Sequence, residues 1–391
     1  MNGHNTYDLA IVGGGLAGAL LALAVHEARP GIRLALIEAG AQLGGNHVWS
    51  FFDSDIDAAG RELLAPMVGY RWEAGHEVRF PGFGRALSSP YNSITNASLD
   101  AHVHAMLDGA VLCGVGARDV RADGVTLADG RTIHARGVID ARGFAGPDDP
   151  LLAGIEAGWQ KFVGQSLRLA APHGLTRPII MDASVEQIDG YRFVYVLPLG
   201  ARDIFVEDTY YSDDAVLDVA ALEGRIADYA ADRGWQVAEL LHQETGVLPV
   251  VIGGAFDALW PRADKVARAG VRAGLFHPVT GYSLAEAVRF ALHVAHLPDL
   301  SSAALARASR AYARRHWRGG GYYRLLDTLL FRAALPEQRY RIFERFYRLS
   351  EKLIGRFYAG RSSHYDRIRI LCGRPPVPIR AAMHALSNRK H

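Results

Sequence analysis

Three glycines, Gly13, Gly15 and Gly18, stand between an apolar run and a long Ala- and Leu-rich segment near the start of this chain. Tyr7 to Val12 has the pattern of a fully buried strand, and Ala17 to about Ala28 has helical length, with Pro30-Gly31 to stop it. A second strand, Leu34 to Ile37, ends at Glu38, 20 residues after Gly18. Strand, glycine turn, helix, strand and acid in this register specify a dinucleotide-binding unit of α/β type. Gly13 permits the tight turn, Gly15 clears space for a pyrophosphate, and Gly18 lets the helix pack closely on the strand. The helix start at Leu16 and Ala17 then offers unpaired N–H groups to phosphate. Glu38 would accept hydrogen bonds from ribose hydroxyls and would repel a 2′-phosphate, so the adenosine should not be that of NADP.

At 391 residues, 49% apolar and 21% charged, the chain can bury the core of one large or several ordinary domains, which excludes a disordered or fibrous protein. Its net charge of +2 is too balanced for a nucleic-acid binder. That sum hides an asymmetry, because residues 301–391 hold 20 Lys or Arg against 5 Asp or Glu, while residues 1–300 hold 23 against 36. The two cysteines, Cys113 and Cys372, suit a reducing compartment and exclude a disulfide framework, and no metal-ligand spacing appears. The first eight residues have no Lys or Arg, and glycines interrupt the apolar run Leu9 to Val25, so neither a signal peptide nor a membrane span is expected.

Two later segments distinguish between NAD and FAD, which the glycines alone leave open. Asp140-Ala141-Arg142-Gly143 ends a short strand, and Gly274 to Ser283, with Pro278, Thr280, Gly281 and Tyr282, leads into a helix. Both resemble the remote cofactor segments of FAD proteins of glutathione-reductase and aromatic-hydroxylase type. In that arrangement the late helix aims its N-terminus at the flavin and favours the negative charge of its reduced form.

Between these segments the alternation changes to strands at Lys161–Leu169, Ile179–Ser184, Tyr191–Leu199 and Ile204–Tyr211. Tyr191, Phe193 and Tyr195 share one face; Phe205, Glu207, Thr209 and Tyr211 share another, and Asp208 points away from Glu207. The acidic pair Glu207 and Asp208 therefore puts only one carboxylate into any one cavity. The expected organisation is an FAD-binding domain of residues 1–160 with 262–300, an inserted antiparallel sheet of residues 161–261 and a basic helical region of residues 301–391. In that last region Arg314, Arg315, Arg318, Arg324 and Arg332 interleave with Tyr312, Trp317, Tyr322, Tyr323 and Phe331. Two readings fit this composition: a surface for anionic lipid, or a solvated basic face over an ordinary core.

The chain resembles the bacterial lycopene β-cyclases across nearly its whole length. The matching stretches are Gly44-Gly45-Asn46-His47-Val48-Trp49-Ser50-Phe51, Gly190 to Leu199, Val206-Glu207-Asp208-Thr209-Tyr210-Tyr211, Gly246-Val247-Leu248-Pro249, Arg272 to Ser283, and Arg356-Phe357-Tyr358-Ala359-Gly360. The resemblance implies FAD that acts reduced, NAD(P)H as the electron source, and a linear carotene, lycopene, taken from the membrane and cyclised without net redox change. It implies an essential Glu207, cofactor contacts from Asn46 and His47, and a cytoplasmic protein peripheral to the inner face of the membrane. Tyr191, Phe193, Tyr195 and Phe205 would line the substrate tunnel. Glu207 and the reduced flavin both stand as proton donors, and His47, His173 and His277 as candidate bases. An FAD monooxygenase, an isoprenoid reductase and a non-catalytic membrane-peripheral nucleotide-binding module are the alternatives.

Overall fold

A computed structural model describes residues 6–373 and 377–387 and arranges them around two seven-stranded sheets and one of three strands. In the first sheet Thr6–Val12 lies between Leu34–Ile37 and Thr132–Asp140 and runs parallel to both. The helix Leu16–Ala28 connects the first two of these strands. Its residues from Ala19 to Val25 are all buried, because it lies between the sheet and the helix Leu284–Ala295. An apolar surface all round, rather than a stripe, is what a helix covered on several sides requires.

The second sheet runs from edge to edge as Val237–Gly254, Ile155–Leu169, Asp203–Ser212, Tyr191–Pro198, Ile179–Asp182, His76–Phe80 and Phe83–Leu87. Its central strands are those legible in the sequence, but the Gly164 strand begins at Ile155 rather than Lys161. The long strand Val237–Gly254 and the hairpin His76–Phe80 with Phe83–Leu87 join it from segments that do not read as strands. Val237–Gly254 is an edge strand whose first five residues are exposed, and an edge tolerates the polar residues, Gly246 and Pro249 that mask its pattern.

The two faces of this sheet have different partners. Val163, Val194, Val196, Ile204 and Val206 pack under the helix Val219–Asp232. Tyr191, Phe193, Tyr195, Phe205 and Tyr211 pack instead with Phe343, Phe346, Tyr347, Phe357 and Tyr358 of the C-terminal region. Tyr191 stacks on Phe343 with ring centroids 4.3 Å apart. The C-terminal helices Ser302–Gly319, Gly321–Arg332, Tyr340–Phe346 and Glu351–Tyr358 therefore cover the aromatic face.

Their arginines meet the acidic body. Arg310 and Arg314 both reach Asp257, at 2.7 and 3.0 Å, and Arg332 reaches Glu156 at 2.9 Å. Arg339, 1% exposed, donates to the carbonyls of Leu330, Phe331 and Tyr211 and to Asp213. The charge asymmetry is thus partly consumed in docking these helices. No helix among the described residues is long and apolar enough to cross a membrane.

Candidate active site

The glycine turn has the geometry its spacing predicts. Gly13 has a φ of +103°, and a Cβ there would stand 2.7 Å from the Ala141 carbonyl; one on Gly18 would stand 1.8 Å from the Gly13 oxygen. Around Gly15 the opposite holds, since a Cβ there meets nothing within 4 Å. That open space faces the start of the helix Leu16–Ala28, which has no side-chain cap. At the end of the second strand the Glu38 carboxylate accepts the N–H groups of Gly14 and Gly40, each at 2.7 Å. An open, uncapped helix N-terminus beside a fixed carboxylate fits the pyrophosphate and ribose of a dinucleotide.

The two later segments converge on this turn. Asp140 is 5% exposed and pairs with Arg142 and Arg272, each at 2.8 Å. Burial acts against its charge, but the hydrogen bond from Arg142 and both guanidinium charges hold its carboxyl below the usual range. Arg272 also donates to the Gly143 carbonyl at 3.0 Å. The Asp140 side chain clamps these segments together through Arg142 and Arg272, while Arg142 itself stays exposed. Beyond Gly274, the His277 N–H donates to the Tyr282 carbonyl and the Gly281 N–H to the His277 carbonyl, both at 2.9 Å. This closes a turn over Pro278, Thr280 and Gly281 at the start of the helix Leu284–Ala295, where Ser283 makes no side-chain cap. A Cβ on Gly281 would lie 3.4 Å from Gln160 Oε1 and from Leu248, so the turn abuts the second sheet. Asn46 and His47 lie along the same sheet: Asn46 Nδ2 donates to the Gln243 carbonyl at 3.2 Å.

Here the register brings four residues into one row. Tyr195 pairs with Glu207, Glu207 with Gly164, and Gly164 with Glu244, across four neighbouring strands. Residues paired in this way project on the same side of a sheet. Glu207 faces the aromatic side with Phe205 and Tyr211, and Thr209 Oγ1 donates to its Oε1. Burial, then the charge of Glu244, push the Glu207 carboxyl up to about 8. Glu244 is 3% exposed; its Oε2 accepts the Val48 N–H at 2.9 Å and lies 3.6 Å from His47 Nδ1. The sequence reading missed Glu244, because only the strand register reveals that it shares a row with Glu207.

Asp208, named with Glu207 as the acidic pair, lies where strand alternation directs it, away from the aromatic face. It is 0% exposed on the opposite face, where Arg192 donates to it at 2.6, 2.9 and 3.2 Å. Alternation along the strand separates the two acids, and Asp208 serves the fold. His173 is likewise outside the row, bonded to Gly200 at an exposed turn. His277 is buried, with Nε2 against the Phe357 carbonyl at 3.0 Å and Nδ1 without a partner. Burial lowers its pKa to about 3, so it is neutral. With Ser50, Asp55, Tyr282 and Tyr358 it lines a cavity of about 220 Å³. A hydroxyl network joins this cavity to the row: Tyr195 donates to Tyr91 at 3.1 Å, and Tyr282 lies next to Tyr91.

The lycopene cyclase protein family matches residues 8–384. The chain is 45% identical to the lycopene beta-cyclase of Pseudescherichia vulneris, covering 97% of each chain, and 43% identical to that of Pantoea ananas, covering 97% of this chain and 98% of the relative. Among solved structures it is similar to a geranylgeranyl bacteriochlorophyll reductase-like protein from Thermoplasma acidophilum, with a TM-score of 0.63 at 15% identity over 98% of this chain and 99% of the other. It is also similar to p-nitrophenol 4-monooxygenase from Pseudomonas putida, with a TM-score of 0.61 at 15% identity over 92% and 100%. These two likenesses concern the fold. Taken with the matches along the chain, they accompany a plain assignment: this chain belongs to the lycopene cyclase family.

Proposed function

We propose that the chain is a lycopene β-cyclase, an FAD-dependent isomerase that closes the acyclic ends of lycopene into β-ionone rings. The observation that carries the reading is Glu207, set on the aromatic face of the second sheet in one row with Tyr195 and Glu244, where burial and then the charge of Glu244 raise its pKa to about 8. Gly13, Gly15, Leu16, Ala17, Gly18 and Glu38 would hold the adenosine and pyrophosphate, and the turn from Gly274 to Ser283 would hold the flavin end. When bound and reduced, the flavin would supply negative charge that favours a developing cation.

The chain's own residues do the rest. Glu207 gives its proton to the terminal trisubstituted alkene, so its O–H bond breaks as a C–H bond forms and a tertiary cation appears. The far carbon of the next double bond along the chain attacks that cation, closing the six-membered ring and leaving a second tertiary cation on the near carbon of that bond. Loss of a ring proton back to Glu207 completes an isomerisation in which atoms and electrons balance. The faces of Tyr195, Phe205 and Tyr211 stabilise the cation, each by about 1–2 kcal/mol when water is excluded. The packed C-terminal helices exclude that water.

A carotene comes from lipid, and the reading extends to attachment at the inner, cytoplasmic face of the membrane. The last two helices support it: Tyr365, Ile368, Ile379 and Met383 are 61–71% exposed, with Arg369 and Arg380 exposed beside them. NAD(P)H is the proposed electron source for the flavin. Anaerobic incubation with lycopene and dithionite, in place of NAD(P)H, tests the scheme. A cyclic product of unchanged mass is expected, whereas one hydride consumed per ring would overturn it in favour of a reductase or monooxygenase.

A further inference from the structure

We propose that Glu244 is a positioning residue for this reaction: with Glu207 it forms an unequal carboxylate pair across Gly164 that keeps the proton on Glu207. The proposal rests on the reading of Glu207 as the acid. The two residues sit on strands that flank the same partner, about 10 Å apart at the backbone given the usual strand spacing. The position between them is a glycine. A Cβ on Gly164 would lie 3.2 Å from Glu244 Cγ and 2.4 Å from the Phe205 ring, so Glu244 and Phe205 both close over the space that the missing side chain leaves between the two acids' strands.

The donors around the pair are unequal. Glu244 receives a backbone N–H, from Val48, which can only donate and so favours the charged carboxylate. Among the described residues Glu207 receives the Thr209 hydroxyl alone, which can turn to accept from a protonated acid. The charge of Glu244 disfavours a second negative charge on Glu207, and environments that differ decide which of two interacting carboxyls keeps the proton.

The other titratable groups leave this division intact. Asp208 lies on the far face, neutralised by Arg192. The phenols of Tyr195 and Tyr211, which face the pair, are kept neutral by burial. His47, 44% exposed, faces Glu244 alone and adds positive charge to it only when protonated. The C-terminal helices present aromatic rings to this face. Among the described residues neither Glu207 nor Glu244 pairs with a Lys or Arg.

The test is an infrared pH titration of the carboxylic-acid C=O stretch in the purified holoenzyme, beside the pH profile of turnover. Loss of the band in Glu207→Gln assigns it. In Glu244→Gln the midpoint of that band should fall by at least about one pH unit, and the alkaline limb of turnover should fall with it. Near pH 6, where Glu207 keeps its proton in both proteins, turnover should stay within about threefold of the parent. Glu244→Asp, which withdraws the charge by one methylene, should give a smaller shift in the same direction. An unmoved midpoint in Glu244→Gln overturns the proposal, and so does equal loss of turnover at every pH. If Glu244→Gln does not fold, an unmoved midpoint in Glu244→Asp overturns it. Near-normal turnover in Glu207→Gln sinks the acid assignment itself, whatever Glu244 does.

Discussion

Replacing Asp208 by Asn should damage the fold while sparing the chemistry, the reverse of the same change at its neighbour Glu207. The Asp208 carboxylate is 0% exposed and the Arg192 guanidinium 7%, joined by three contacts of 2.6–3.2 Å. Arg192 also donates to the Glu186 carbonyl at 3.0 Å, so the pair ties two strands of the second sheet to the loop before them. Removing one partner of a buried pair leaves an uncompensated charge and costs about 3–5 kcal/mol. An Asn keeps one acceptor oxygen, which places the expected loss near the lower end, about 3 kcal/mol. Glu207→Gln replaces a neutral acid by a neutral amide of the same size and should change stability by about 1 kcal/mol or less, yet lower cyclisation by about 100-fold or more, the scale of a lost positioned acid. Urea unfolding followed by tryptophan fluorescence, with turnover measured on the folded fraction, reads both quantities. Comparable stabilities for the two variants, or normal turnover in folded Glu207→Gln, would refute the division of labour between the two faces.

The raised Glu207 pKa also predicts how stability varies with pH. A folded pKa of about 8 against an ordinary 4.5 means a stabilising contribution that is complete below about 4.5 and lost as pH rises through 8. Unfolding midpoints measured from pH 5 to 9 should therefore fall more in the parent than in Glu207→Gln; parallel curves would contradict this. Gly18→Ala places a Cβ 1.8 Å from the Gly13 oxygen, so the purified protein should lose its FAD or fail to fold, as measured by flavin released per chain. Full flavin content would refute the close-packing argument. Polar replacement of Ile368 and Met383 should weaken binding to anionic vesicles in a flotation assay, because both are exposed beside Arg369 and Arg380; unchanged binding would remove these helices from the lipid contact.

The glycine turn was legible in the sequence because its meaning is local: Gly13, Gly15, Gly18 and Glu38 act within one strand–helix–strand unit. The opposition of Glu207 and Asp208 was legible for a similar reason, since alternation along a strand needs no knowledge of neighbours. Glu244 was not, because it meets Glu207 only through the register of a third strand, and its own strand is a polar edge. The basic C-terminal quarter was legible only in part. Composition shows that Arg310 and Arg314 are cations, but not that Asp257 waits for both of them. Nor does it show that Phe343 will stack on Tyr191 rather than face lipid.

Cyclisation in deuterated water tests the central claim most directly. If an exchangeable acid on Glu207 starts the reaction and a ring proton leaves, each ring gains one deuterium and loses one hydrogen. With pre-exchanged, anaerobically reduced enzyme, mass spectrometry should find the product heavier by one mass unit per ring in D2O and unchanged in H2O, with no ring formed by Glu207→Gln. A product heavier by a hydride as well as a proton, one carrying oxygen, or an equal yield of labelled rings from Glu207→Gln would contradict it.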